Sequence, residues 1–466
     1  VAGVDFNGYN FRGPNFNLND FFERLEDLAI FHANSNNFTG TIPKTSEFKY
    51  LYEIDMSNNK LHGQFPMEVL NVKNLSFLDL RFNSFYGAIP SVVFDYLKLD
   101  ALFINNNQFT QELPQNLGST TALYITFANN KFTGPIPKSI GKAKYLLEIL
   151  LLNNKLSGCL PYEIGNLRNV TVFDASSNLL TGMIPYSFEC LASMQLLNLA
   201  GNQFYGTVPE MVCKLPNLVK LSLSDNYFTQ VGSECRKMIM KKKIDVIFLN
   251  NNNFMQPIPE NIGSTPALYI TLANNKLTGP IPRSIGNASS TLKEILLFNN
   301  LLVGCIPYEV GFLRNARVFD ASNNQLTGPL PCSLGCLKKM EQLNLADNQL
   351  YGEVPEVLCA LKNLENLSLS NNYFSKVGPT CENLIQEGVL DLRGNCISGF
   401  ADQRTEEECS TFFSQPITCP YSSSLKLIPC STSGSARSAS TNSLKVSGVA
   451  KTGWVTYQAT DQRHRL

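Results

Sequence analysis

Histidine is nearly absent from this sequence: His32, His62 and His464 are the only three in 466 residues. No Gly-x-Ser-x-Gly elbow and no P-loop occurs, and GPIPKSIGK, which superficially suggests a phosphate loop, has six residues between its glycines instead of four. With few general bases and no nucleophile motif, an enzyme is not expected. Carboxylates such as Glu53 and Asp55 could form a glycosidase pair, but they read as ordinary residues of a short strand. There are no CxxC pairs or Cys/His clusters, so neither a metal nor a cofactor is expected. No run of eighteen apolar residues exists and no kinase motif follows, which argues against a membrane span or a self-contained receptor. Lys plus Arg equals Asp plus Glu, 38 each, so net charge supports neither a nucleic-acid nor an anionic-membrane partner.

What the sequence does have is asparagine, recurring in pairs before an apolar residue: SNNKL, INNNQF, ANNKF, LNNKL, LFNNLL. The template LxxLxLxxNxLxGxIP places its Asn at 36, 59, 83, 107, 130, 154, 178, 202 and 226, at spacings of 23 or 24 residues up to Asn202 and Asn226. It continues through Asn252, Asn275, Asn300, Asn324, Asn348, Asn372 and Asn395, and a degenerate first unit has Tyr9 at this position. Seventeen units with this pattern and period are the signature of leucine-rich repeats. The expected fold is an α/β solenoid, a right-handed superhelix lined by a parallel β-sheet with one short strand per unit. Alternate Leu and Ile, such as Leu78 and Leu80, point into the core, and the residues between them face solvent. The Asn turns the chain out of the strand, and its amide should satisfy backbone groups of adjacent coils.

The second half of the unit, as in FTGTIPK, FYGAIPS, LSGCLPY and LTGPLPC, resembles the plant-specific leucine-rich-repeat subtype. Within it, DLAIFHANSNNFTGTIPK, LDALFINNNQF, RNVTVFDASSNLLTG and VLDLRGNCISG resemble the repeat domain of the leucine-rich-repeat extensin family of plant cell walls and its extensin-less relatives. The resemblance covers nearly all of residues 1–419. Unlike that family, the sequence starts directly in a repeat strand without a signal peptide or cysteine-paired cap, and residues 420–466 lack a Ser-Pro-Pro-Pro-Pro run.

The stretch ALYITFANNKFTGPIPKSIG at 122–141 returns at 267–286 with three changes, Phe127 to Leu272, Phe132 to Leu277 and Lys138 to Arg283. The ladder residues Asn107 to Asn226 map onto Asn252 to Asn372 at offsets of 145 or 146, so six units are duplicated as a block. The expected organisation is repeats at 1–98, a first copy at 99–243, a second at 244–389, a last repeat and cap at 390–419, and a disordered Ser-rich tail at 420–466. Near the seam NYFTQVGSECRKM parallels the start of the terminal cap, NYFSKVGPTCENL, and a local break in curvature is expected. The run Lys241, Lys242 and Lys243 beside it reads as a solvated loop face rather than a pectin site.

Thirteen cysteines point to an oxidising compartment. Cys190 lies twelve residues after Asn178 and Cys213 eleven after Asn202, and adjacent coils about 4.8 Å apart would allow a bond. Cys190–Cys213 is therefore expected, with Cys336–Cys359 as its duplicate. Cys381, Cys396, Cys409 and Cys419 should staple the cap in one of three connectivities. Cys235 reads as an orphaned copy of Cys381, and Cys159 and Cys305 have no partner at the matching position of a neighbour. Sequons at Asn37, Asn74, Asn169, Asn287 and Asn366 fit a secreted glycoprotein, and the family resemblance implies the plant cell wall or apoplast.

Recognition should fall to the concave sheet, read at six, four and two residues before each ladder Asn. Early units offer Glu53, Asp55 and Asp79 as an acidic patch. Phe77, Phe103, Tyr124 and Asp174 follow, and Phe248, Tyr269 and Asp320 repeat the theme in the second copy. Exposed aromatics beside acids suit a basic, partly apolar polypeptide. The family resemblance implies a secreted, basic, cysteine-rich peptide of the rapid alkalinisation factor type, in wall integrity or growth control. Two alternatives stand beside it: a defence protein inhibiting a fungal polygalacturonase, with pectin as a further partner, and a decayed or mis-predicted gene product.

Overall fold

The computed structural model describes residues 3–11, 27–42, 48–96, 99–233, 235, 244–414, 419 and 424–426. Between the first and last units, each contributes a three-residue strand whose middle side chain is buried, as in Phe77–Asp79 with Leu78 fully enclosed. These strands form one 17-stranded sheet from Gly3–Asp5 to Leu390–Asp391. Neighbours in chain order pair in parallel, for instance Phe77 with Ala101 and Ala101 with Tyr124. A single coil buries too little apolar surface to stand alone, so stability comes from stacking. Beneath the sheet, the apolar residue two after each ladder Asn builds a spine in which Phe85, Phe109 and Phe132 stack at 6.3 and 6.2 Å.

The ladder asparagines are buried, or half-buried at Asn59, Asn83 and Asn324, and bonded in a repeating way. Asn154 donates through Nδ2 to the carbonyls of Phe127, Leu151 and Leu152, and its Oδ1 accepts the N–H of Phe132. The degenerate first unit departs, with Tyr9 exposed at the ladder position. The asparagine before the ladder position has a different task. Asn58, Asn106, Asn129, Asn153, Asn251, Asn274, Asn299, Asn323 and Asn371 all have φ between 49° and 57°. Asn tolerates this left-handed region better than other non-glycine residues, which accounts for the pairs. Phe82 occupies the same position with φ 53° while half its surface is exposed. Phe82→Asn should therefore raise stability by about 1 kcal/mol, read as a higher denaturation midpoint; an unchanged midpoint would show that Phe82 packing offsets the backbone cost.

At the duplication seam the inner sheet is continuous, with Lys220–Ser222 paired to Val246–Phe248, and Asn252 still reaches back to the Leu223 carbonyl at 2.9 Å. The interruption lies in the second layer, which has nine strands from Thr39–Gly40 to Tyr227–Val231 and five from Thr278–Gly279 to Tyr373–Lys376. In the gap, the Gln256 side chain accepts from Val231 N–H at 2.8 Å and donates to its carbonyl at 3.2 Å, in place of a strand pair. Lys241, Lys242 and Lys243 lie outside the described residues.

The cysteine pairing differs from the sequence expectation. Cys213 bonds Cys235 and Cys359 bonds Cys381, with Cα atoms 5.2 and 5.1 Å apart, while Cys190 is an exposed free thiol. Cys336 is disulfide-bonded, but not to Cys359. Adjacent coils are indeed bonded, but the spacing argument chose the wrong ones and overlooked side-chain direction: the bonds join the Asn202 and Asn226 coils and the Asn348 and Asn372 coils. Cys190 ends the 3-10 turn Tyr186–Cys190 and faces out, whereas Cys213 sits one position earlier in its coil, on the helix Glu210–Lys214, and is buried. One residue on a helix rotates a side chain by about 100°. Neither Cys235 nor Cys305 is unpaired, since Cys305 bonds Cys419 across 114 residues. Within the cap, Cys396 bonds Cys409. Part of the segment expected to be disordered is also packed: Ser424–Lys426 forms a 3-10 turn against Cys332–Cys336 with Leu425 buried. The rest of that segment, residues 427–466, lies outside the described residues.

Candidate functional site on the solvent face of the sheet

Every three-residue strand offers its first and third side chains to the solvent face, but the third position is not free to project. Four residues before the ladder Asn, an Asp accepts the backbone N–H two residues on: Asp55 from Ser57, Asp79 from Arg81, Asp174 from Ser176 and Asp320 from Ser322, at 2.9 to 3.0 Å. This local Asx turn satisfies a donor where the strand ends. The second oxygen of Asp55, Asp174 and Asp320 accepts from Asn34, Asn198 and Asn344 of an adjacent coil. These acids form a structural row beside the asparagine ladder.

The expected acidic patch is accordingly smaller than the sequence suggested. Asp79 is fully buried and Asp55 nearly so. Burial pushes the Asp79 carboxyl up to about 7, despite its hydrogen bond to the Arg81 N–H and the Arg81 charge. The Arg81 Nε lies 2.9 Å from Asp79 Oδ2, yet that oxygen has no hydrogen-bond partner, so the pair is poorly aligned. Burial also raises the Asp320 carboxyl, partly offset by hydrogen bonds from Ser322 and Asn344. Glu53 remains half-exposed and bonds His32 Nε2 at 3.0 Å.

Of the aromatic residues read from the sequence, two are in ring contact. Phe77 and Phe103 meet edge to face at 5.5 Å, and the Arg81 guanidinium lies 5.4 Å from the centre of the Phe103 ring. Tyr124, 40% exposed, occupies the same row as Phe77 two strands away. The Phe77 and Phe103 rings are thus held by neighbours before any ligand arrives. In the second copy Phe248 and Tyr269 occupy adjacent strands, with Lys293 Nζ 6.0 Å from the Tyr269 ring centre. The coil before it differs: the strand Lys220–Ser222 stands where Phe77–Asp79 precedes the first copy, so no aromatic pair forms there.

Two acids escaped the sequence reading. Glu148 pairs in register with Tyr124, and Glu294 with Tyr269, and burial raises both carboxyls. Both lie six residues before a ladder Asn, so the positional rule could have found them; their partial burial could not be read from spacing. Of the sequons, Asn74, Asn169 and Asn287 are exposed while Asn37 and Asn366 are half-buried. Among the described residues, no group of three or more His, Cys, Asp and Glu could hold a metal, and no helix is long and apolar enough to cross a membrane.

The leucine-rich-repeat family model matches residues 315–337 and 363–384. Leucine-rich repeat extensin-like protein 6 of Arabidopsis thaliana is 52% identical over 177 residues, 38% of this chain and 37% of that protein. Extensin-like protein 2 of the same plant is 50% identical over 183 residues, 39% of this chain and 23% of its own length. The match therefore spans less than two fifths of either relative. Among solved structures, the plant peptide hormone receptor RGFR1 in complex with RGF2 has a TM-score of 0.73 at 25% identity, covering 85% of this chain and 71% of that one. A TDR receptor has a TM-score of 0.72 at 24% identity over 85% and 72%. A leucine-rich-repeat protein of Leptospira interrogans reaches 0.61 at 25% identity over 82% and 100%. The chain is a leucine-rich-repeat solenoid whose curated homologues are the leucine-rich repeat extensin-like proteins of Arabidopsis thaliana.

Proposed function

We propose that this protein is a non-catalytic extracellular recognition module that binds a secreted basic, cysteine-rich peptide of the rapid alkalinisation factor type, in the plant cell wall. The observation that carries the reading is the Phe77, Phe103 and Tyr124 platform, set between Glu53 on one side and Glu148 on the other. Preassembled aromatics give a ligand large contact area without ordering cost, and flanking carboxylates favour a cationic partner. The disulfides fit an oxidising, extracellular setting. Likeness to a receptor solved with a peptide hormone, and to extensin-like relatives, supports peptide binding and the wall in turn.

The first copy should bind more tightly than the second, because Lys220 replaces Phe77 in the strand before the second platform. Titration of a synthetic peptide of this class by calorimetry tests the reading. Phe103→Ala with Tyr124→Ala should weaken binding by about 2 kcal/mol or more at every salt concentration. Glu53→Gln with Glu148→Gln should weaken it mainly at low salt, where charge attraction extends beyond about 10 Å. Unchanged affinity in both variants would move the site off this face.

A further inference from the structure

The duplication supplies an internal comparison outside the proposed peptide face. Cys305 and Cys336 of the second copy correspond to Cys159 and Cys190 of the first, at an offset of 146. In the second copy Cys305 bonds Cys419, and the sulfur of Cys419 lies over Gly328, where a Cβ would collide with it. The segment continues to Ser424–Lys426, which packs on the turn Cys332–Cys336 and buries Leu425, and Cys336 is 5% exposed. The first copy keeps the same seat without this cover. Gly182 has φ +88°, matching +89° at Gly328, and the atoms nearest a Cβ built there all belong to Cys159, whose sulfur is 2.7 Å away. Cys159 and Cys190 are exposed free thiols. Around them Tyr162, Met183 and Tyr186 are 70, 61 and 71% exposed, an apolar surface on the coils that correspond to the covered ones.

We propose that the seat formed by Cys159, Gly182 and the turn Tyr186–Cys190 takes the Cys419 segment of a second copy of this chain, joined by thiol–disulfide exchange. The occupant is identified by what the duplicate seat already holds: a cysteine over the glycine, then a leucine six residues on against the turn. It must come from another molecule. Cys409 is fixed to Cys396 in the last coil, and the ten residues to Cys419 span at most about 36 Å when fully extended. The Asn154 coil lies ten coils from the Asn395 coil, about 48 Å at sheet spacing.

The chemistry is redox-neutral. The Cys159 thiol loses its proton and attacks the Cys419 sulfur of the other copy; the Cys305–Cys419 bond breaks, a Cys159–Cys419 bond forms, and Cys305 leaves as a thiolate that takes up a proton. Each copy carries one seat and one tail, so the contact is head to tail and generates open chains as well as dimers.

The test uses the full chain secreted into an oxidising medium, incubated with a little reduced glutathione, quenched with an alkylating reagent, and analysed by non-reducing electrophoresis and peptide mapping. The expected result is a covalent ladder containing a Cys159–Cys419 peptide, with Cys305 alkylated in matching amount. Cys159→Ser should abolish the ladder while leaving Cys305–Cys419 intact. Tyr186→Asp, which keeps the thiol but charges the seat, should slow cross-linking severalfold without changing alkylation of Cys159 by a small reagent. The proposal is overturned if Cys159 is recovered as a thiol in a purely monomeric protein, if the link joins Cys159 to another Cys159 or to Cys190, if the adduct is with a different protein, or if Tyr186→Asp cross-links as fast as the parent.

Discussion

Asn130→Ala should cost at least about 3 kcal/mol, because it removes a side chain whose four hydrogen bonds are all with buried backbone. Nδ2 of Asn130 donates to the carbonyls of Ile104, Phe127 and Ala128 at 3.0 to 3.1 Å, and Oδ1 accepts the Phe109 N–H at 3.0 Å. Water cannot replace these partners without opening the coil. The Phe109 N–H would be left buried and unpaired beside the ring that stacks between Phe85 and Phe132. Asn130→Asp should be at least as damaging, since a carboxylate cannot donate to three carbonyls and would be charged in a buried site. The neighbour supplies the control. Asn129 holds φ 52° and links Asn106 and Asn153 only through side-chain hydrogen bonds that water can replace, so Asn129→Gly should cost about 1 kcal/mol or less. Denaturant unfolding of the three variants decides the matter. Equal losses at 129 and 130 would mean that the ladder bonds add nothing beyond the turn itself.

This contrast marks how far the sequence could be read. Period, strand position and the buried role of the second asparagine follow from spacing, because every coil repeats the same geometric problem. The first asparagine was legible as a pattern, but its reason is a dihedral angle that spacing does not display. Asp79 was misread because its offset from Asn83 is that of an exposed strand residue, whereas its neighbours cover it and the Arg81 N–H draws it inward. Cys190 was misplaced for a related reason: coil spacing brings backbones within bonding distance, and a one-residue phase difference on the turn decides which sulfur points where. Positions along the chain were readable; directions of side chains, which depend on the packing of two or three coils at once, were not.

Asp79 also makes a prediction about pH. Its carboxyl titrates near 7 in the folded protein against 3.8 ordinarily, with burial as the main cause. Below pH 3.8 both folded and unfolded forms hold the proton and the residue contributes nothing. Between about pH 4 and 7 the unfolded chain releases it while the folded chain keeps it, so stability falls as pH rises, and it levels off above 7. Asp79→Asn keeps an oxygen for the Arg81 N–H and cannot ionise. The variant should match the parent near pH 4 and exceed it at pH 8 by up to about 4 kcal/mol. Glu148, Glu294 and Asp320, also raised by burial, act equally in both proteins and drop out of the difference. A stability difference that stays flat from pH 4 to 8 would show that the Arg81 charge holds Asp79 ionised. The same residue then bears on recognition: an uncharged Asp79 offers a basic peptide nothing below pH 7. Asp79→Asn should leave binding at pH 6 unchanged, while Glu53→Gln, at the half-exposed carboxylate beside His32, should not.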